Sequence, residues 1–198
     1  MCPMVKTPLT IEYALLGFLR PRPIHAYEIH QQLAQAEALG LVWHVKQSQL
    51  YALIARLEDE GYLAGVTEQQ DNRPAKRVLR LTPAGRDAFD RWLVTPVAHG
   101  RDFRLEFLAK LFFASHEGEP TLSTLIARQR QSCDEQRMSL HARLSTLPPD
   151  RLYDALVLQF RIGQLDAILA WLETCRTAFA ASIETTGNEP SRHFIKHE

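Results

Sequence analysis

Residues 48–63 read "SQLYALIARLEDEGYL". Leu50, Leu53, Ile54 and Leu57 recur at helical spacing on one face, and Gly61 stands just past the end, where helices commonly stop. With Leu50 at the centre of the inward stripe and about 100° per residue, Ser48, Ala52 and Ala55 point outward, flanked by Gln47, Gln49, Tyr51 and Arg56. The outer face at the helix start is therefore small and polar. A DNA major groove admits such a face, and first-turn residues meet base edges there. Glutamine offers a paired donor and acceptor to adenine, Tyr51 can bond a phosphate, and Lys46 sits just before the helix where phosphate would run. The bland reading is a solvated surface helix, so the neighbours decide.

Upstream, Thr7-Pro8 is a cap followed by a first-turn proline, and Leu9, Tyr13 and Leu16 continue a helix that "RPRP" (20–23) ends. A second helix is predicted from about Ala26 to Ala38, with Ile29, Leu33 and Ala36 inward and Gly40 closing it. Downstream, "YLAGVTEQ" and "AKRVLRLT" are β-like runs around the turn-forming "QDNRP", which predicts a hairpin. Thr82-Pro83 repeats the capping signal and opens a fourth helix carrying Phe89, Trp92 and Leu93. Two helices, a candidate reading helix and a basic hairpin are the layout of a winged helix. The hairpin holds the densest cationic run, "RPAKRVLR", in which Arg73, Lys76 and Arg77 can neutralise phosphates flanking the reading helix. The structural alternative for that run is an edge strand charged against aggregation.

The chain has 198 residues and a formal net charge of zero, so a whole-molecule basic field is excluded, although a local patch is not. The start shows no secretory pattern, and no run approaches the roughly 18 apolar residues of a membrane span. Three scattered cysteines (Cys2, Cys133, Cys175) suit free thiols in a reducing compartment, which reads as cytoplasmic. An enzyme reading finds little support. The histidines lack metal-ligand spacing, His25 and His30 fit surface or capping roles on the second helix, and Glu58, Asp59 and Glu60 point in different directions. No cofactor is expected.

Beyond "TPVAHGRD" (95–102) the chain reads as nearly all helix: an apolar segment, "FRLEFLAKLFFASH", then long helices from Thr121 to about Leu147 and from Asp150 to about Thr186, with Pro148-Pro149 at the corner. The last helix has two apolar seams. Leu158, Ile162, Leu165, Leu169 and Leu172 step by four and three, the spacing by which helices lie along each other. Leu152, Leu156, Phe160, Gly163 and Ala167 form the other. One chain has too few neighbours to cover both, so a partner copy is expected, with the first seam as the dimerisation set.

The segments "YALLGFL", "HAYEIHQQL", "SQLYALIARLEDEGYL" and "RLTPAGRDAFDRWL" resemble the PadR family of bacterial transcription regulators, and the two long C-terminal helices resemble its larger-domain branch. The resemblance implies a winged helix-turn-helix joined to a helical dimerisation domain. It implies that Tyr51 meets DNA backbone, that Arg73, Lys76 and Arg77 lie in the wing, and that small, often aromatic, effectors exert control. Ala26, where the family often has glycine, and Val78-Leu79, where it has an aromatic, depart from the pattern.

The expected architecture is thus mainly α: a winged helix-turn-helix with a small β-hairpin over 7–95, a helical dimerisation domain over 101–186 and a flexible tail over 187–198. The expected function is a homodimeric, sequence-specific DNA-binding regulator. It would be a repressor on a palindromic double-stranded operator, with reading helices about 34 Å apart, relieved by a small effector. Trp43, Trp92 and Trp171 are candidates to line the effector site. The alternative is a winged helix that contacts only protein.

Overall fold

The computed structural model describes residues 10–35, 39, 45–70 and 73–185, with side chains described over 12–33, 39, 45–66 and 77–181. In chain order it has α1 (Thr10–Phe18), β1 (Ile24–His25), α2 (Ala26–Gln35), α3 (Gln47–Asp59), β2 (Leu63–Gln70), β3 (Arg73–Leu81), α4 (Pro83–Val94), a 3-10 turn (Gly100–Arg104), α5 (Glu106–Glu117), α6 (Thr121–Ser145) and α7 (Leu152–Thr185). The predicted cap at Thr7, the end of the second helix at 36–38, Trp43 and the tail lie outside the described residues. The structure divides into two compact units: 1–95 with 101–113, and 96–100 with 114–198.

In the first unit, α3 buries Leu50, Ile54 and Leu57, as its periodicity predicts. Its chain reverses at Gly61, whose φ of 75° is open to glycine but strained for other residues. Leu63 then opens the hairpin. The sheet has three strands in the order β1-β3-β2, all antiparallel, with Ile24 facing Leu79 and Gly65 facing Leu79 from the other side. The two-residue β1 is absent from the sequence reading, which put His25 on a helix; it lies in this strand, and its Nδ1 hydrogen-bonds the Arg77 carbonyl at 2.9 Å.

The cap of α4 follows the reading closely. Thr82 Oγ1 accepts from the Gly85 N–H at 3.0 Å, and Pro83 occupies the first turn. Thr82 N–H donates to the Tyr62 carbonyl, and a Cβ on Gly85 would lie 2.1 Å from that same oxygen. The helix therefore starts against the end of α3 only because residue 85 has no side chain.

Residues 101–113, expected in the dimerisation domain, belong to the first unit. The reason is aromatic packing: Phe113 of α5 meets Phe18 edge-on at 5.4 Å and Phe89 at 5.5 Å. Lys110, 1% exposed, donates to the Thr95 carbonyl at 2.7 Å, pairs with Glu106 at 2.8 Å and lies over the Trp92 ring. Its burial lowers its pKa from the ordinary lysine value.

The second unit is an antiparallel pair, α6 against α7, crossed by Arg130–Glu173 and Arg137–Asp166, each at 3.1 Å. Leu125, Ile126 and Cys133 of α6 are buried with Leu158, Ile162, Leu165 and Leu172 of α7. Gln129, fully buried, accepts from the Val97 N–H at 2.8 Å and donates to the Val97 carbonyl at 3.2 Å. Over Leu152–Ala181, α7 is long and apolar enough to cross a bilayer by length and composition, unlike the uninterrupted runs of the sequence; its four- and three-spaced face packs on α6.

Candidate nucleic-acid interface

The outward side of α3 begins with Gln47, Ser48, Gln49, Tyr51 and Ala52, all exposed, with Lys46 exposed just before it. Leu50, Ile54 and Leu57 anchor the helix from behind, so these residues are presented on a fixed rod. Gln49 also closes the helix start: its Oε1 accepts the Lys46 N–H at 3.1 Å, satisfying one of the donors left open there. Tyr51 is 46% exposed, and Ala52 and Ala55 beside it are exposed as well.

Arg56 does not belong to this surface. Its Nη1 lies 2.9 Å from Oε1 of Glu12, a carboxylate with no solvent exposure on α1, and its Nε donates to Glu60 at 2.9 Å. The predicted contact is corrected: this guanidinium braces α3 against α1. The sequence concealed it because Glu12 is far away along the chain.

On the hairpin, β3 carries the cationic run. Arg73 and Lys76 are placed in the strand, pairing with Gln70 and Glu68, but their side chains lie outside those described. Arg77 is 65% exposed along its side chain, and its Nη2 lies 2.6 Å from Oε1 of Glu58 on α3. The hairpin cation and α3 are thereby joined. A cavity of about 520 Å³ opens between them, lined by His25, Tyr27, Tyr51, Ile54, Glu58 and Arg77 among others. Tyr27, 56% exposed at the start of α2, escaped the sequence reading, which gave His25 only a surface or capping role. The signal was available in "HAYEIHQQL", where a proline-rich loop delivers a tyrosine to a helix N-terminus.

The seam assigned to dimerisation is corrected as well. Leu158, Ile162, Leu165 and Leu172 are buried in the chain's own hairpin with α6, and Leu169 is half-buried beside them. The second seam faces out: Leu152, Leu156 and Phe160 are exposed, with Gly163 and Ala167 continuing the line and Tyr153 and Val157 beside it. Both seams have helical spacing, and α6 supplies cover for one.

Of the tryptophans, Trp43 lies outside the described residues. Trp92 is buried, stacked on Tyr13 at 6.0 Å and hydrogen-bonded through Nε1 to Glu106, as a core residue is. Trp171 is 37% exposed on α7. Cys133 and Cys175 are buried, and burial pushes both thiols up, away from the reactive thiolate.

Residues 15–91 match the transcriptional regulator PadR-like family, and residues 103–180 match the virulence activator alpha C-terminal family. The chain is similar to the negative transcriptional regulator PadR of Bacillus subtilis, 31% identical over 121 residues, which cover 61% of this chain and 65% of that one, just under two thirds of the relative's length. It is also similar to a probable transcriptional regulator of Mycobacterium tuberculosis, 23% identical over 83% of this chain and 95% of that one. Among solved structures, Bacillus subtilis PadR in complex with operator DNA is 26% identical, covering 86% of this chain and 99% of that chain with a TM-score of 0.43.

Proposed function

We propose that the chain is a PadR-like DNA-binding transcriptional regulator, acting in the cytoplasm as a homodimeric repressor on a roughly palindromic operator; the match of residues 15–91 to that family and the likeness to the Bacillus relative support the reading. The observation that carries the reading is the pairing of an unobstructed α3 start with an exposed wing arginine tied to the same helix. Gln47, Ser48 and the Ala52 methyl would meet base edges; Lys46, Tyr51 and the wing cations Arg73, Lys76 and Arg77 would meet phosphates. Repression agrees with the description of the Bacillus relative as a negative regulator.

Dimerisation falls to the exposed α7 line of Leu152, Leu156 and Phe160, whose burial against a second copy would contribute about 1.5–3 kcal/mol per large side chain. A small aromatic effector would be read at Trp171, where a ring on the same helix remains accessible; quenching of tryptophan emission, abolished in Trp171→Phe, is the check.

Fluorescence anisotropy with duplex DNA across a salt series tests the central reading. Binding should weaken steeply as salt rises. Tyr51→Ala should lower affinity about tenfold, the scale of one lost charge-assisted contact, while sizing shows an unchanged dimer. Absence of binding at low salt would remove the DNA reading in favour of a protein-contact module.

A further inference from the structure

We infer that Glu58 and Gly65 are positioning residues for the wing, holding Arg77 beside Tyr51 so that one stretch of sugar-phosphate meets both; the inference rests on the DNA-binding reading above. The carboxylate of Glu58 is recessed, with 16% of its side chain exposed, while that of Arg77 is 65% exposed. Their bond of 2.6 Å therefore anchors the cation without hiding it. A guanidinium has five N–H donors in a fixed fork, so one bond to a carboxylate leaves others for phosphate.

Gly65 makes the arrangement possible. It faces Leu79 across the hairpin, while Arg77 faces Thr67, so the arginine leans diagonally over the glycine. A Cβ at residue 65 would lie 2.5 Å from Arg77 Nε, 2.9 Å from its Nη2 and 2.7 Å from Glu58 Oε1. Both partners occupy space that any other residue at 65 would fill. The bond from His25 Nδ1 to the Arg77 carbonyl fixes the backbone beneath. An arginine already held in place loses less rotamer freedom when it meets its target. The opposite arrangement, a lock that withholds Arg77 from DNA, would bury the guanidinium, and here the carboxylate is the recessed partner.

The test uses the full chain, a fluorescent random-sequence duplex and the variants Glu58→Ala, Glu58→Gln, Gly65→Ala and Arg77→Ala, each checked for fold by thermal melting. Gly65→Ala alters no charge, and the atoms it displaces are the ends of flexible side chains. It should nevertheless mimic Glu58→Ala, with affinity reduced several-fold at low salt and the log–log salt slope shallower by about 0.9, one phosphate contact. Glu58→Gln keeps an acceptor and should bind close to wild type; with Glu58→Ala it carries the comparison should Gly65→Ala misfold. Glu58→Ala combined with Arg77→Ala should bind no more weakly than Arg77→Ala alone. Tighter or unchanged binding by Glu58→Ala, or additive losses, would overturn the assignment. A readout without DNA separates this from failure of the DNA reading: the resonance of the Arg77 Nη2–H that donates to Glu58, identified by its loss in Arg77→Ala. It should exchange slowly in the free wild type and rapidly in Glu58→Ala. Equal exchange in the two overturns the positioning role even if no duplex binds.

Discussion

Arg56 shows how one side chain can leave a predicted surface. Its pairing with the buried Glu12 carboxylate ties α3 to α1, and breaking a buried pair from one side is costly. Because Arg56 is itself 30% exposed, Arg56→Ala should destabilise the fold, though by less than the breaking of a fully buried pair. Urea unfolding measures it, and Glu12→Gln in the same chain should recover part of the loss. Lys110 is the second case. Burial lowers its folded pKa below the unfolded value, so between the two the unfolded chain holds the extra proton. Stability contributed at this site therefore rises with pH across that alkaline window, and the penalty of the buried charge is full below it. The stability difference between wild type and Lys110→Met should shift toward wild type from pH 7 to about 10, read from paired urea melts; a shift the other way would contradict the buried-cation account.

At the scale of elements, the winged part was the most legible. The stripe of α3, the glycine at 61 and the Thr82-Pro83 cap are local signals, and each one forms where local chemistry puts it. The third strand was not legible, because Ile24–His25 is too short for periodicity and exists only through pairing with β3. The assignment of the α7 seams failed for a related reason: Leu158 and Leu156 stand on equally regular lines, and only the position of α6 decides which is covered. The exposed line yields a direct prediction. Leu156→Glu and Phe160→Glu alter residues 53% and 66% exposed, so the single-chain fold should survive while sizing shows monomers and operator affinity drops. Dimers in both variants would move the interface elsewhere.

For the whole molecule, zero net charge and a sequence pI of about 7.1 mean that no global field draws the protein to nucleic acid. On the proposed function, affinity would come from a few placed cations and from the pairing of two copies, each contributing one half-site contact. Stability should accordingly depend on concentration: if the exposed α7 face is covered only in the dimer, the midpoint of thermal unfolding rises as the protein is concentrated. A midpoint independent of concentration over several decades would mean that the single chain is stable without its partner.

Gln129 offers its amide to both backbone groups of Val97, imitating with one side chain what a neighbouring strand would do. A connector residue outside any helix or strand is thus shielded like a rung of a ladder. In deuterated buffer the Val97 amide should retain its proton about as long as the interior of α6, and Gln129→Glu, which sets an oxygen against the Val97 carbonyl, should release it.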